Sequence, residues 1–234
     1  PEMKWPETLL RYQLDLRGAG ISNAQSLLLL DEEGRAVPFQ LTDLVEESGM
    51  SRYATLCFLS DLPSGAVKTF QLIPASTKSK HPIFLLSNPV RVTHSSSGYL
   101  IENGLVRLQI NNDPAGENNR TVLKLGTTTE WLGELLLPEN TRLTNFQMED
   151  KMEGDVFSEY HLRLCFGQSR IYRLMLRLVA GMDYIEMDEA MEGFSPGETL
   201  AMELNWNNFH PEVRYCPTRI AQIDKKGHGY DNFR

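Results

Sequence analysis

The chain has 234 residues, with 31 Asp and Glu against 23 Lys and Arg, a formal net charge of −8 and a hydrophobic fraction of 41%. That length can bury a sizeable core, and that apolar content excludes a disordered chain. An acidic chain with no basic tract argues against nucleic-acid binding and against an anionic membrane surface, and the longest apolar run, Ser26–Leu30, is far short of the roughly 18–20 residues that span a bilayer.

Helical periodicity is nearly absent, and short alternating segments separated by turn residues predict an all-β chain. Leu10, Tyr12, Leu14 and Leu16 alternate along a first strand. A hairpin is predicted at Gln25–Leu30, Asp31–Gly34 and Ala36–Leu41, because acidic turn residues precede a Gly able to take positive φ. Strands at Ser51–Leu59 and Val67–Ile73 follow, joined by a Pro-Gly turn at Leu62–Gly65.

Residues 74–82 are polar and carry no large apolar side chain, which makes them a linker candidate between a module at 1–85 and one at 86–234. Strand patterns resume at Val90–Thr93, Tyr99–Glu102, Val106–Ile110 and Thr121–Leu125. Asn103 and Gly104 form a hairpin signal, since both tolerate positive φ. Further on, Tyr160, Leu162, Leu164 and Phe166 share one strand face, as do Tyr172, Leu174, Leu176 and Leu178. If Gly181 and Met182 form a two-residue loop, Arg177 stands opposite Glu186 and Met175 opposite Asp188, with Arg173 diagonal to Asp188. Leu200, Met202, Leu204 and Trp206 mark a last strand.

Cys57 and Cys165 fall in apolar runs, and Cys216 lies beside Pro217. Three cysteines cannot all pair and none has CxxC spacing, so neither a disulfide framework nor a cysteine zinc site is expected, and the odd count leans toward a reducing, cytoplasmic setting. The chain starts at Pro1 without an initiator Met and without a signal peptide, and is expected to be part of a longer polypeptide.

Four groups of residues offer chemistry. Glu186 and Asp188 share a strand face, a spacing that suits paired-carboxylate glycoside chemistry; ion pairing to Arg173 and Arg177 is the plainer use of both, and an acid beside an arginine makes a poor proton donor. Trp131 between Glu130 and Glu134 could stack on a sugar, or lie at a strand edge among surface acids. Trp206 continues the Leu200 alternation and so favours core packing, ahead of an Asn-rich loop. His210, Tyr215, His228 and Tyr230 crowd the last 25 residues and could act as base and acid in proton abstraction, or be scattered loop residues. His81, His94 and His161 are isolated and not spaced as metal ligands. HExxH, Walker A, GxGxxG and GxSxG patterns are absent, so no metal and no cofactor is expected.

Several stretches together resemble a known arrangement. Asp31, Gly34, Val37, Pro38 and Gln40 are similar to the D-x-x-G-x-x-V-P-x-Q hairpin that opens β-rich accessory domains of bacterial carbohydrate-active enzymes, and Leu62–Gly65 is similar to the LPAG turn that follows it. Asn103, Gly104 and Arg107 resemble the N-G-x-x-R strand opening a β-supersandwich, as in α-mannosidases and exo-rhamnogalacturonan lyase-like proteins. The run Gly154–Glu189, with Tyr172, Arg173, Gly181 and Tyr184, looks like the later meander of that sandwich. The resemblance implies a small Rift-type barrel or sandwich at 1–85 and a galactose-mutarotase-like sandwich at 86–234, truncated at Arg234. It also implies catalytic groups in another domain, and no catalytic residue carries over from it.

The sequence is therefore read as the β-rich accessory region of a glycoside hydrolase or polysaccharide lyase. Its expected partners are an oligo- or polysaccharide and the remainder of a longer polypeptide, with no nucleic acid and no membrane, and Trp131, Trp206, His210, Tyr215, His228 and Tyr230 are its candidate contacts. Two alternatives stand beside it: a catalytic module acting on acidic glycans, and a β-sandwich protein-interaction module with no sugar role.

Overall fold

The computed structural model describes residues 5–17, 27–47, 50–62, 65–75, 85–114, 120–137, 143–195 and 203–206. Their regular structure is all strand, and every ladder is antiparallel. The first six strands are β1 (Trp5–Asp15), β2 (Leu27–Leu30), β3 (Ala36–Val37), β4 (Phe39–Glu47), β5 (Met50–Leu62) and β6 (Gln71–Pro74). They form two three-stranded sheets, ordered β1-β5-β4 and β3-β2-β6. A six-stranded sheet combines β7 (Arg91–Ser95), β8 (Gly98–Glu102), β9 (Val106–Asn111), β10 (Thr121–Thr127), β11 (Trp131–Leu136) and β16 (Glu203–Trp206), in the order β16-β11-β10-β9-β8-β7. The fourth sheet is a meander of β12 (Asn145–Met152), β13 (Phe157–Phe166), β14 (Arg170–Val179) and β15 (Ile185–Glu192). No helix among the described residues is long and apolar enough to cross a membrane.

The six- and four-stranded sheets share one core. Ile101, Leu108, Ile110, Leu123 and Leu135 from one sheet pack with Tyr160, Leu162, Leu164, Leu174, Leu176 and Leu178 from the other. A fully buried side chain of this kind stabilises the fold by roughly 1.5–3 kcal/mol. A second, smaller core gathers Leu29, Leu56 and Phe58, with Leu10, Leu14, Phe39 and Phe70 against it. Strand β5 serves both cores: Leu56 and Phe58 point into the small one, Cys57 and Leu59 into the large one. A strand covered on both faces has no polar side to alternate with, which accounts for the unbroken apolar run Leu56–Leu59.

Local chemistry departs from the sequence reading at several points. Ala36–Leu41 is two strands, because Pro38 has no N–H to give a ladder and the chain changes sheet there, β3 pairing with β2 and β4 with β5. Of Val67–Ile73 only the end is strand; Val67 is 86% exposed, while Thr69 N–H is held by Glu32 Oε1 at 2.7 Å. Residues 76–82 of the linker candidate lie outside the described residues. The β8–β9 loop is Gly104-Leu105, one residue later than expected: Gly104 alone takes positive φ (78°), and Asn103 N–H closes the turn onto Val106 O at 3.2 Å.

The meander register is as read, with Arg177 opposite Glu186 and Met175 opposite Asp188. Its loop is longer than two residues, since the ladder ends at Leu178 and Ile185. Asn103 holds that loop. Its buried amide, 1% exposed, donates to Val179 O (2.8 Å) and Met182 O (2.6 Å), and its Oδ1 accepts from the Leu105 and Val106 N–H groups, both at 3.1 Å.

Candidate functional site

Strand alternation brings Glu159 and His161 of β13, Arg173 and Arg177 of β14, and Glu186 and Asp188 of β15 onto one face of the meander. Glu159, only 3% exposed, is the centre of this face. Its Oε2 accepts from Arg177 Nε at 2.6 Å and from Arg11 Nη2 at 2.7 Å, and its Oε1 faces His161 Nε2 at 2.9 Å. Arg11 arrives from β1, its guanidinium lying 4.8 Å over the Phe157 ring. Burial alone would raise the Glu159 pKa, but the His161 and Arg177 hydrogen bonds and the Arg177 and Arg11 charges outweigh it and hold the carboxyl below its ordinary value. A carboxylate held ionised in this way cannot serve as a general acid.

The two acids singled out for glycoside chemistry have different neighbours. Glu186 is bound by Arg177 Nη1. Arg173 engages Glu149 (3.2 Å) and Glu192 rather than Asp188. Asp188, Glu149, His161 and Arg173 line a depression of about 220 Å³ on this face. Among the described residues Asp188 has no ion-pair partner, and no group of three or more His, Cys, Asp or Glu is placed to hold a metal ion.

A second polar cluster escapes a linear reading of the sequence. Glu153 accepts from Tyr160 Oη at 3.0 Å and from Lys151 Nζ at 3.2 Å, and lies 3.1 Å from His94 Nε2. His94 packs edge-on against Tyr99, which tilts against Tyr160. Burial raises the Glu153 pKa, and the hydrogen bonds from Lys151, Tyr160 and His94 bring it back below the ordinary value. Burial and then the Glu153 charge push the Tyr160 phenol well up, so it stays a neutral donor. The cluster ties the β7–β8 hairpin to the meander. His94 and Glu153 are 59 residues apart, and no spacing signal links them.

Trp131 lies at the start of β11 on the outer face of the six-stranded sheet, half-buried. Gly126 is its cross-strand neighbour, and Arg107 is the neighbour of Gly126 on the other side. With no side chain between them, the Arg107 guanidinium reaches across and lies 4.1 Å from the Trp131 ring centre. Glu130 beside it is exposed, while Glu134 pairs with Lys124 at 2.8 Å. The backbone of β16 lies beside β11 and pairs Trp206 with Gly133, two residues from Trp131. His210, Tyr215, His228 and Tyr230 lie outside the described residues.

A cleft of about 150 Å³ in the first block is lined by Asp31, Glu32, Arg35, Asp61, Lys68 and Thr69 among others. The charges named here are mutually engaged: Asp31 takes the Arg35 Nε at 2.7 Å, Glu32 takes the Thr69 N–H, and Lys68 pairs with Asp61. In both blocks, therefore, most acids are held by neighbouring donors. Comparison with models of known protein families gives no match for this chain, and comparison with curated proteins gives none.

Proposed function

We propose that this chain is a β-sandwich interaction module with no catalysis of its own. One observation carries the reading. Met187 and Met191 of β15 stand opposite Leu176 and Tyr172, so they belong to the core-side face of the meander. Leu176 and Tyr172 are buried, yet Met187 is 38% and Met191 54% exposed, with Tyr184 exposed just ahead of them. An apolar row left in water at the rim of a core is surface that a partner can cover, and methionine adapts readily to such contacts. The engagement of Glu159 and Glu186 by arginine supports the absence of acid–base chemistry. Selection of displayed peptides on the whole chain tests this. Peptides are expected to enrich and to lose binding to the M187S/M191S variant; no enrichment, or binding indifferent to that variant, rejects the reading.

A second reading, an accessory region of a carbohydrate-active enzyme with Rift-type and mutarotase-like modules, draws support from Trp131. Its half-exposed ring next to the exposed Glu130 is the pairing that sugar contact uses, although Arg107 already covers part of it. Retention on an oligosaccharide array, abolished by Trp131→Ala, would favour this reading over the first.

A further inference from the structure

We infer that β15 is an acceptor for strand addition, and that its partner is an extended, basic segment of another protein. The inference rests on the interaction-module reading and specifies its surface and chemistry. Among the described residues the meander ends in two edge strands, and they differ. β12 is interrupted by a bulge between Met148 and Asp150, a device that protects an edge. β15 runs from Ile185 to Glu192 in unbroken register with β14, and among the described residues no strand lies on its other side. In an antiparallel edge, every second residue turns its N–H and C=O away from the sheet, so this strand offers an ordered row of donors and acceptors.

Charge selects the occupant. β15 carries Glu186, Asp188, Glu189 and Glu192 and no Lys or Arg. Arg177 and Arg173 engage Glu186 and Glu192 on the β14 side, and Tyr172 donates to Glu189. Asp188 lies exposed at mid-strand. A second copy is a poor fit: two-fold antiparallel self-pairing near the strand centre sets Asp188 opposite Asp188 in one register and Glu189 opposite Glu189 in the next, and like charges directly opposite destabilise a pair. A segment alternating Lys or Arg with apolar residues fits both features. Its cations lie on the outer face beside Asp188, and its apolar side chains, on the opposite face, cover Met187 and Met191.

The test uses the full chain and four eight-residue peptides: alternating Lys–Val, alternating Glu–Val, and Lys–Val with N-methyl groups on alternate residues in each of the two phases. Binding is read by fluorescence anisotropy and located by hydrogen exchange. The Lys–Val peptide is expected to bind and to slow amide exchange within Ile185–Glu192. The Glu–Val peptide and one of the two N-methylated peptides, the one methylated on the residues that pair with β15, are expected to bind at least about tenfold more weakly while the other phase still binds, and Asp188→Lys is expected to weaken the Lys–Val peptide about fivefold. Undiminished binding by both N-methylated peptides, protection confined to other strands, or no binding by the Lys–Val peptide overturns the inference. If that peptide fails while display-selected peptides still require Met187 and Met191, the strand-addition chemistry falls and the interaction reading stands. If neither binds, both fall.

Discussion

Asn103 offers the sharpest test of how the two sheets are joined. Asn103→Ala deletes two donated and two accepted hydrogen bonds at a position that is 1% exposed. A buried hydrogen bond contributes about 1 kcal/mol net, and a buried group left unsatisfied costs about 1–3 kcal/mol. The Leu105 amide is near the surface and can turn to water, whereas the Val179 carbonyl is buried with its residue. The expected loss is therefore about 3 kcal/mol, a large part of the 5–15 kcal/mol by which a domain is stable. Asn103→Asp keeps the acceptor for the Leu105 and Val106 amides but sets a carboxylate oxygen against two carbonyls, where Nδ2 now donates at 2.6 and 2.8 Å. At pH 7 it should be worse than the alanine variant. The introduced carboxyl is held above its ordinary value of about 3.9, because only its protonated form can donate there. With the folded-state pKa raised, the penalty is full above that pKa and fades as pH falls through it. Urea denaturation at pH 7 and pH 5 should show the aspartate deficit shrinking and the alanine deficit unchanged. An alanine variant within 1 kcal/mol of the parent, or an aspartate variant more stable than alanine at pH 7 with no change at pH 5, refutes the reasoning.

Glu159→Gln should cost about 2–3 kcal/mol, below the 3–5 kcal/mol of a fully buried pair because Arg11 is a third exposed. The Glu159 carboxyl is depressed below its ordinary 4.5, so its contribution is present above that pH and lost as pH falls through the depressed value. Denaturant midpoints of parent and variant should differ at pH 7 and draw together as the pH is lowered below 4.5; a constant gap counts against the ion network. Gly126→Ala puts a Cβ 2.3 Å from Glu130 O and 3.0 Å from Trp131 Cα, backbone atoms that cannot swing aside. A loss of about 1–3 kcal/mol with a changed tryptophan emission is expected, and unchanged values for both would show that Arg107 and Trp131 do not depend on the glycine.

The sequence discloses strand existence and register well where alternation is uninterrupted. β13 to β15 keep period two from Tyr160 onward, and the Arg177–Glu186 pairing follows from it. Where a bulge shifts the phase the signal fails. In β12 the register slips between Met148 and Asp150, so that Lys151 stands opposite Tyr160, and no strand is visible in the sequence there. Turn chemistry is legible at Asp31, whose carboxylate accepts the Glu33 and Arg35 N–H groups, but only in part at Asn103. A side chain that clamps a loop some 76–79 residues away leaves no local mark. The same holds for His94 and Glu153, which meet only because the β7–β8 hairpin closes against the meander. Trp131 is legible as a partly exposed ring, whereas the arginine over it depends on three strands being aligned.

The carboxylates on the meander face show why residue type alone misleads about chemistry. Glycoside hydrolysis asks one acid to keep a proton near neutral pH and its partner to stay ionised, with room between them for a sugar. Here Glu159 and Glu186 share Arg177, and Arg11 crosses from β1 to the same carboxylate. Each added cation stabilises the ionised form and moves the face further from proton donation. β1 turns Leu10 and Leu14 into the small core while Leu9 packs against the large one and Arg11 binds Glu159. The arginine is therefore positioned by apolar burial on both sides of its strand, and the charge network follows from the packing. What that packing leaves uncompensated is at the other end of the meander, where Met187, Asp188 and Met191 face water in a strand that, among the described residues, is paired on one side only.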